Sequence, residues 1–204
     1  METLISPSIE WAVAELAQRG QSESGDRHLV LSTLDGGLVA VVDGLGHGAE
    51  AASAAKVAVR ALERGADRPL VQLFRDCHQS LIGTRGAVVS AAAFAFHDET
   101  MTWLGVGNVE GLLLRAPATG GARTESLLVR GGVIGAHLPP LVSEVVPIRR
   151  GDTLILATDG VRSDFLDAAL PYQEPQALAD HILTRFGTQT DDALVLVVRY
   201  LGPA

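Results

Sequence analysis

The sequence predicts an α+β fold in which helices pack outside antiparallel sheets. Three observations lead there. Apolar residues make up 47% of the chain but aromatics only 4%, so the core must be built from Val, Leu, Ile and Ala. The 22 glycines imply many turns and close backbone approaches, which suits strand-rich structure better than a helical bundle. Patterning places helices twice early and once late, with strands elsewhere. At 204 residues a single domain over 1–204 is expected, because a chain of this size buries about 70% of the surface its unfolded form exposes.

Leu29-Val30-Leu31 and Leu38-Val39-Ala40-Val41-Val42 flank Asp35-Gly36-Gly37, the signature of a hairpin. The second of these strands is apolar throughout and is expected to be buried on both faces, ending at Asp43. After Gly48 the chain turns Ala-rich, with Lys56, Arg60 and Glu63 spaced as a solvated stripe and Gly65 as a stop, which predicts a helix over 49–62. A second helix is expected over 69–82, with Pro69 in its first turn. Strands follow over 87–96, 100–106, 109–114 and 126–129, read as an antiparallel meander. Segments 144–148 and 153–157 are expected to form another hairpin around Arg150-Gly151-Asp152, before a helix over 175–186 and a final strand over 193–200. The loop at 115–123 is expected to be the most mobile segment, and no repeat, low-complexity stretch or linker divides the chain.

Acidic residues outnumber Lys and Arg by 24 to 16, a net charge of −8 that argues against a nucleic-acid surface, where clustered cations must neutralise phosphates. Cys77 is the single cysteine, which excludes an intramolecular disulfide and a cysteine-built metal site and points to a reducing setting. The N-terminus lacks a basic region followed by an apolar stretch, and the apolar run around 91–96 falls well short of the ~20 residues of a membrane span. A soluble, cytoplasmic protein without membrane contact is the expectation.

The informative feature is where the acids fall. Asp26, Asp43, Asp159 and Asp191 stand at predicted strand ends or strand-flanking turns. Two share a pattern, since both Ala40-Val41-Val42-Asp43-Gly44 and Ile155-Leu156-Ala157-Thr158-Asp159-Gly160 are apolar strands ending in Asp-Gly. Each carboxylate thus emerges from a rigid element, beside a glycine that lets another group approach the backbone. If such acids converge, repulsion forces protons onto some of them unless cations fill the gap, and four carboxylates balance two divalent ions. Oxygen-only ligands favour Mg²⁺ or Mn²⁺ over zinc. Two such ions with a bridging hydroxide suit hydrolysis of a phosphate ester without a covalent nucleophile. Cys77-His-Gln-Ser-Leu-Ile-Gly, lacking Cys-x5-Arg, does not suit a thiol phosphatase. Asp before Gly is also a common turn pair. Asp35, Asp152 and Asp98 with Glu99 are therefore read as solvated turns, while Asp192 is either an acid standing behind the site or a charged strand start.

The segment Val41-Val-Asp-Gly-Leu-Gly-His-Gly48 opening an Ala-rich helix, with Ser24-Gly-Asp26, Gly107-Asn108, Thr158-Asp-Gly160 and Asp191-Asp192-Ala in order, resembles the PPM-type metal-dependent Ser/Thr phosphatases. Thr84-Arg85-Gly86-Ala87-Val88 and Gly105-Val106-Gly107-Asn108-Val109 look like their short bacterial SpoIIE/RsbX-like branch. The resemblance spans about residues 23–200. It implies an α-β-β-α sandwich of two antiparallel sheets flanked by helices, with a binuclear centre of Mn²⁺ or Mg²⁺ at one edge. Asp43 would bridge the ions and the Gly44 carbonyl bind one, Asp26 would lie at the site, and Asp159 and Asp191 would complete a cluster in which Asp43, Asp159 and Asp191 carry catalysis. The implied substrates are phosphoserine and phosphothreonine on RsbS/RsbR-like stressosome scaffold proteins, with antisigma-switch proteins as the neighbouring possibility.

The sequence departs from that pattern in places. Larger members have an adjacent acidic pair where Gly25 precedes Asp26, and an upstream phosphate-binding Arg with no counterpart here. They also have a His directly after the first Asp-Gly, where this chain has Leu45; His47 could replace it as general acid, cap the helix or touch a protein substrate. Leu194 stands where a hydroxyl residue is common. A dinucleotide-binding reading of Gly44-Leu-Gly46-His-Gly48 fails because the third glycine comes one place early, Asp43 would sit beside the anion, and the later strands lack intervening helices. A catalytically silent module that binds a phosphoprotein or scaffold is the other alternative.

Overall fold

The period-2 alternation of apolar residues in strands decides the layering. Along β3 (Gly36–Gly44), Val39 and Val41 face one core while Leu38, Ala40 and Val42 face another. Along β11 (Ala193–Tyr200), Leu194, Leu196, Val198 and Tyr200 share the first of those cores, and Ala193, Val195 and Val197 enter a third. In this computed structural model, which describes residues 8–18, 20, 23–33, 35–117 and 123–203, the chain therefore stacks four layers: helices, sheet, sheet, helix. The first seven residues and most of the expected 115–123 loop lie outside the described residues.

One sheet has the order β1 (Ile9–Leu16), β11, β10 (Thr153–Ala157), β6 (Glu110–Leu114), β7 (Thr124–Leu127). The other runs β2 (Asp26–Ser32), β3, β4 (Ala87–Ala95), β5 (Thr100–Val106), β8 (Val129–Arg130), and β9 (Glu144–Pro147) also pairs with β5. Pairing is antiparallel except for a two-residue parallel contact between β5 and β8. Helices α1 (Ala49–Arg64) and α2 (Leu70–Leu81) cover the second sheet, and α3 (Pro175–Phe186) covers the first. The small side chains of Ala51, Ala52, Ala54, Ala55 and Ala58 form the buried face of α1, while Lys56, Arg60 and Glu63 are exposed as expected.

Two expectations about connectivity fail. The strands over 87–114 are not a single meander: after β5 the chain crosses at Gly107-Asn108 to the other sheet, where β6 pairs with β10. Segments 144–147 and 153–157 are not a hairpin either, because β9 pairs with β5 and β10 with β6 and β11, one in each sheet. Both strands are apolar enough to fit either sheet, and the choice is made by packing between sheets, which local sequence does not encode. Asp152, expected in a solvated turn, is only 3% exposed. Its carboxylate accepts from Arg115 Nη1 at 2.7 Å and from the backbone N–H groups of Ala116 and Arg149 at 2.9 and 3.0 Å. Residues 9–16, where the sequence predicts no element, form the full-length edge partner of β11. Their Ala and Glu content is weak for a strand, so neighbour pairing rather than propensity places them there.

Candidate metal centre

The inward face of β3 continues past Val39 and Val41 to Asp43, so the same alternation that fills the inter-sheet core delivers a carboxylate at its end. Asp26, the first residue of β2, is paired directly with Asp43 across the ladder. On the opposite sheet, Thr158 follows Leu154 and Leu156 on the inward-facing register of β10. Its hydroxyl donates to Asp26 Oδ2 at 2.7 Å and accepts the Leu194 N–H at 2.8 Å, so one buried threonine ties the two sheets together beneath the acids.

The Asp-Gly pattern has a concrete cause at both sites. A Cβ at Gly44 would lie 2.1 Å from the Ala51 carbonyl oxygen, and one at Gly160 would lie 2.0 Å from that of Asp192. Each glycine admits an incoming backbone, α1 in one case and the approach to β11 in the other, and so presses the neighbouring aspartate toward the gap between the sheets.

Asp26, Asp43, Asp159, Asp191 and Asp192 all line one open cavity of about 530 Å³, together with Leu45, His47 and Asn108 among others. Gly44 is buried and is not among the lining residues; its N–H donates to the Gly25 carbonyl at 3.2 Å. Asp159 is exposed and held by Asn108, whose Nδ2 donates to its Oδ2 at 2.8 Å. Asp192, which the sequence left between two roles, is 4% exposed and acts as a brace. Its carboxylate accepts the Gln18 N–H at 2.8 Å and the Gly25 N–H at 2.6 Å, fixing the turn that leads into Asp26. Where the larger phosphatases have an acidic pair, Gly25 thus packs against a carboxylate supplied from the other end of the chain. The sequence assigns no role to Thr158, Asn108 or Gln18; only the first two sit within segments that signalled function, while Gln18 reaches Asp192 through its backbone N–H and the Thr190 carbonyl through its side chain.

The electrostatics show uncompensated negative charge. Burial, reinforced by Asp26, Asp159, Asp191 and Asp192, pushes the Asp43 carboxyl up to about 8. Burial also raises Asp26, to about 7, against the lowering effect of the Thr158 hydroxyl and with the help of the other acids. Although the residue as a whole is exposed, the Asp159 carboxyl is raised by partial desolvation within the cavity and by Asp191, with the Asn108 bond opposing. Among the described residues, no Lys or Arg lines the cavity. Among the described residues, no three His, Cys, Asp or Glu side chains converge on a single point as they stand. That geometry still fits hard divalent ions, because Mg²⁺ keeps several waters and is commonly held by one or two carboxylates rather than by a complete protein cage. The donor chemistry, oxygen only and strongly anionic, fits the same ions. The thiol of Cys77 is fully buried and pushed up to about 12, so it offers no nucleophile.

Comparison with known proteins then decides the family. A family model for Stage II sporulation protein E (SpoIIE) matches residues 35–201. The chain belongs to the SpoIIE family. It is 24% identical over 194 residues to the phosphoserine phosphatase RsbX of Bacillus subtilis, covering 95% of this chain and 96% of that one. A solved structure from work on the bacterial stressosome as a modular system adapted to control secondary messenger signaling superposes with a TM-score of 0.83 at 29% identity, over 94% of this chain and 99% of that one. RsbX crystallised in complex with magnesium superposes with a TM-score of 0.82 at 21% identity, over 94% and 95% of the two chains. The SpoIIE-family chain has the α-β-β-α architecture of the PPM-type phosphatases and belongs to their RsbX/SpoIIE branch.

Proposed function

We propose that the chain, as one catalytic domain, removes phosphoryl groups from phosphoserine or phosphothreonine on stress-signalling regulatory proteins, with Asp26, Asp43, Asp159, Asp191 and the Gly44 carbonyl holding two Mg²⁺ or Mn²⁺ ions. The observation that carries this reading is the gathering of five aspartates around one cavity that no Lys or Arg lines among the described residues. Asp43 suits the bridging position because it is half-buried at the end of β3 and feels the other four acids at once. Hydrogen bonds from Asn108 to Asp159 and from Thr158 to Asp26 restrict two of the proposed donors. Ions in that place would supply an activated water and neutralise the charge of the phosphoryl oxygens. Leu45 offers no proton to a leaving serine oxygen, whereas the imidazole of His47 lines the cavity. RsbS/RsbR-like scaffold proteins are the proposed substrates, in keeping with the stressosome setting of one structural relative, and antisigma-switch proteins are the neighbouring class. A cytoplasmic location agrees with such partners; among the described residues no helix is long and apolar enough to cross a membrane.

The test is phosphate release from a phosphoserine protein with Mn²⁺ and again with chelator. Metal-dependent release is expected, and equal background signal in both would leave a silent binding module. Comparing kcat/KM on phosphorylated scaffold and antisigma-switch proteins at equal concentration separates the two substrate classes.

A further inference from the structure

At the opposite end of β10 from Asp159 lies a second cavity of about 480 Å³, and its character is the reverse of the first. Arg115, Arg123, Arg149 and Arg150 line it, against the carboxylates of Asp152 and Glu125. Four of the chain's 16 basic residues thus meet at one place on a molecule whose net charge is −8. The two acids are already committed. Arg115 Nη1 donates to Asp152 Oδ2 and to the Pro147 carbonyl, both at 2.7 Å, and its Nη2 to Glu125 Oε2 at 2.7 Å. Asp152 also accepts the N–H groups of Ala116 and Arg149, which locks the turn between β9 and β10. Arg149 and Arg150 project from that turn as exposed side chains, with no ion pair among the described residues. Arg123 is exposed beside Glu125, and the five residues between Pro117 and Arg123, Ala-Thr-Gly-Gly-Ala, contain no acid.

Guanidinium groups without a salt bridge among the described residues, around a cavity with the partly buried Arg115–Asp152 pair at its base, form a cationic receptor. Guanidinium forks match the geometry of tetrahedral and planar oxyanions, and a concave wall raises the local potential above that of a flat surface. We propose that this cavity is a second anion-binding site, taking a phosphoryl group through Arg123, Arg149 and Arg150, on the order of 20 Å along β10 from the candidate metal centre. The phosphoryl group belongs either to a phosphorylated protein or to a small phosphorylated molecule.

Isothermal titration of pyrophosphate into the full chain in EDTA tests it. Saturable binding is expected that weakens at least tenfold in R149A/R150A and also in R123A, and that is unchanged in D43N. The substituted arginines are exposed, and R123A lies on a separate segment, so it decides the matter if the double variant fails to fold. Absence of saturable binding in the wild type, equal affinity in the arginine variants, or loss in D43N overturns the proposal, the last by placing the anion at the metal centre. A phosphoserine peptide binding more tightly than pyrophosphate identifies a protein source, and the reverse order a small molecule; either upholds the site.

Discussion

Asp26 and Asp43 stand directly opposite each other on the β2–β3 ladder. Burial is the first reason both carboxyls are held far above the ordinary aspartate range, and neighbouring acids add to it: Asp26, Asp159, Asp191 and Asp192 for Asp43, and Asp192, Asp159 and Asp191 for Asp26. The rung costs stability in the metal-free protein and creates affinity for cations, and the same tension sets several measurable outcomes.

Replacing Asp43 by Asn removes one of the opposed charges with almost no change of shape. Metal-dependent phosphate release is expected to vanish, while in chelator at pH 8 the variant should melt higher than wild type. Each kcal/mol of relieved repulsion is worth about 2–4 °C in a domain of this size. Preserved turnover would remove Asp43 from the bridging role.

The pH dependence of metal-free stability follows in sign from the raised acids. Asp26 at about 7 and Asp43 at about 8 bind protons in the folded state that the unfolded chain has already released. Their stabilising protonation is fully present below the unfolded value near 3.8 and is lost as pH rises through 7 and 8. The melting temperature in EDTA should therefore fall between pH 5 and pH 8.5 by way of these groups, and added Mn²⁺ should raise it most at the alkaline end. A metal-induced shift equal at both ends, read by differential scanning calorimetry, would contradict this.

Thr158 is expected to matter more for architecture than its size suggests. Thr158→Val keeps the shape but leaves the Leu194 N–H and one Asp26 oxygen without their partner, a cost of about 1–3 kcal/mol for a buried unsatisfied group. Thr158→Ser restores the hydroxyl and should recover most of the loss. Thermal melts of the two variants separate the hydrogen bonds from packing, and a weaker Mn²⁺ activation midpoint in the Val variant would report the loosened Asp26.

Asp152→Ala leaves Arg115 and two backbone N–H groups facing an empty site at the base of the second cavity. Three donors then lose their acceptor, at about 1–3 kcal/mol for each buried unsatisfied group, while Arg115 keeps Glu125. A melting point lower by on the order of 10 °C is expected, and an unchanged one would show that water replaces the carboxylate there.

Much of this molecule was legible from local pattern. The all-apolar run 38–42 announced a strand buried on both faces, the Ala-rich stretch after Gly48 announced α1, and two strands ending in Asp-Gly pointed to carboxylates on rigid supports. These features depend on periodicities of two and 3.6 residues, which the chain carries in itself. Tertiary structure alone decided which sheet each strand joins, so the expected 144–157 hairpin became two strands in different sheets. It likewise turned Asp152 from a turn residue into a buried clamp, and gave Asp192 and Thr158 the task of bracing Asp26 from segments more than a hundred residues away. Sheet pairing and hydrogen bonds between distant segments are settled by which surfaces exclude water together, and no short window of sequence contains both partners.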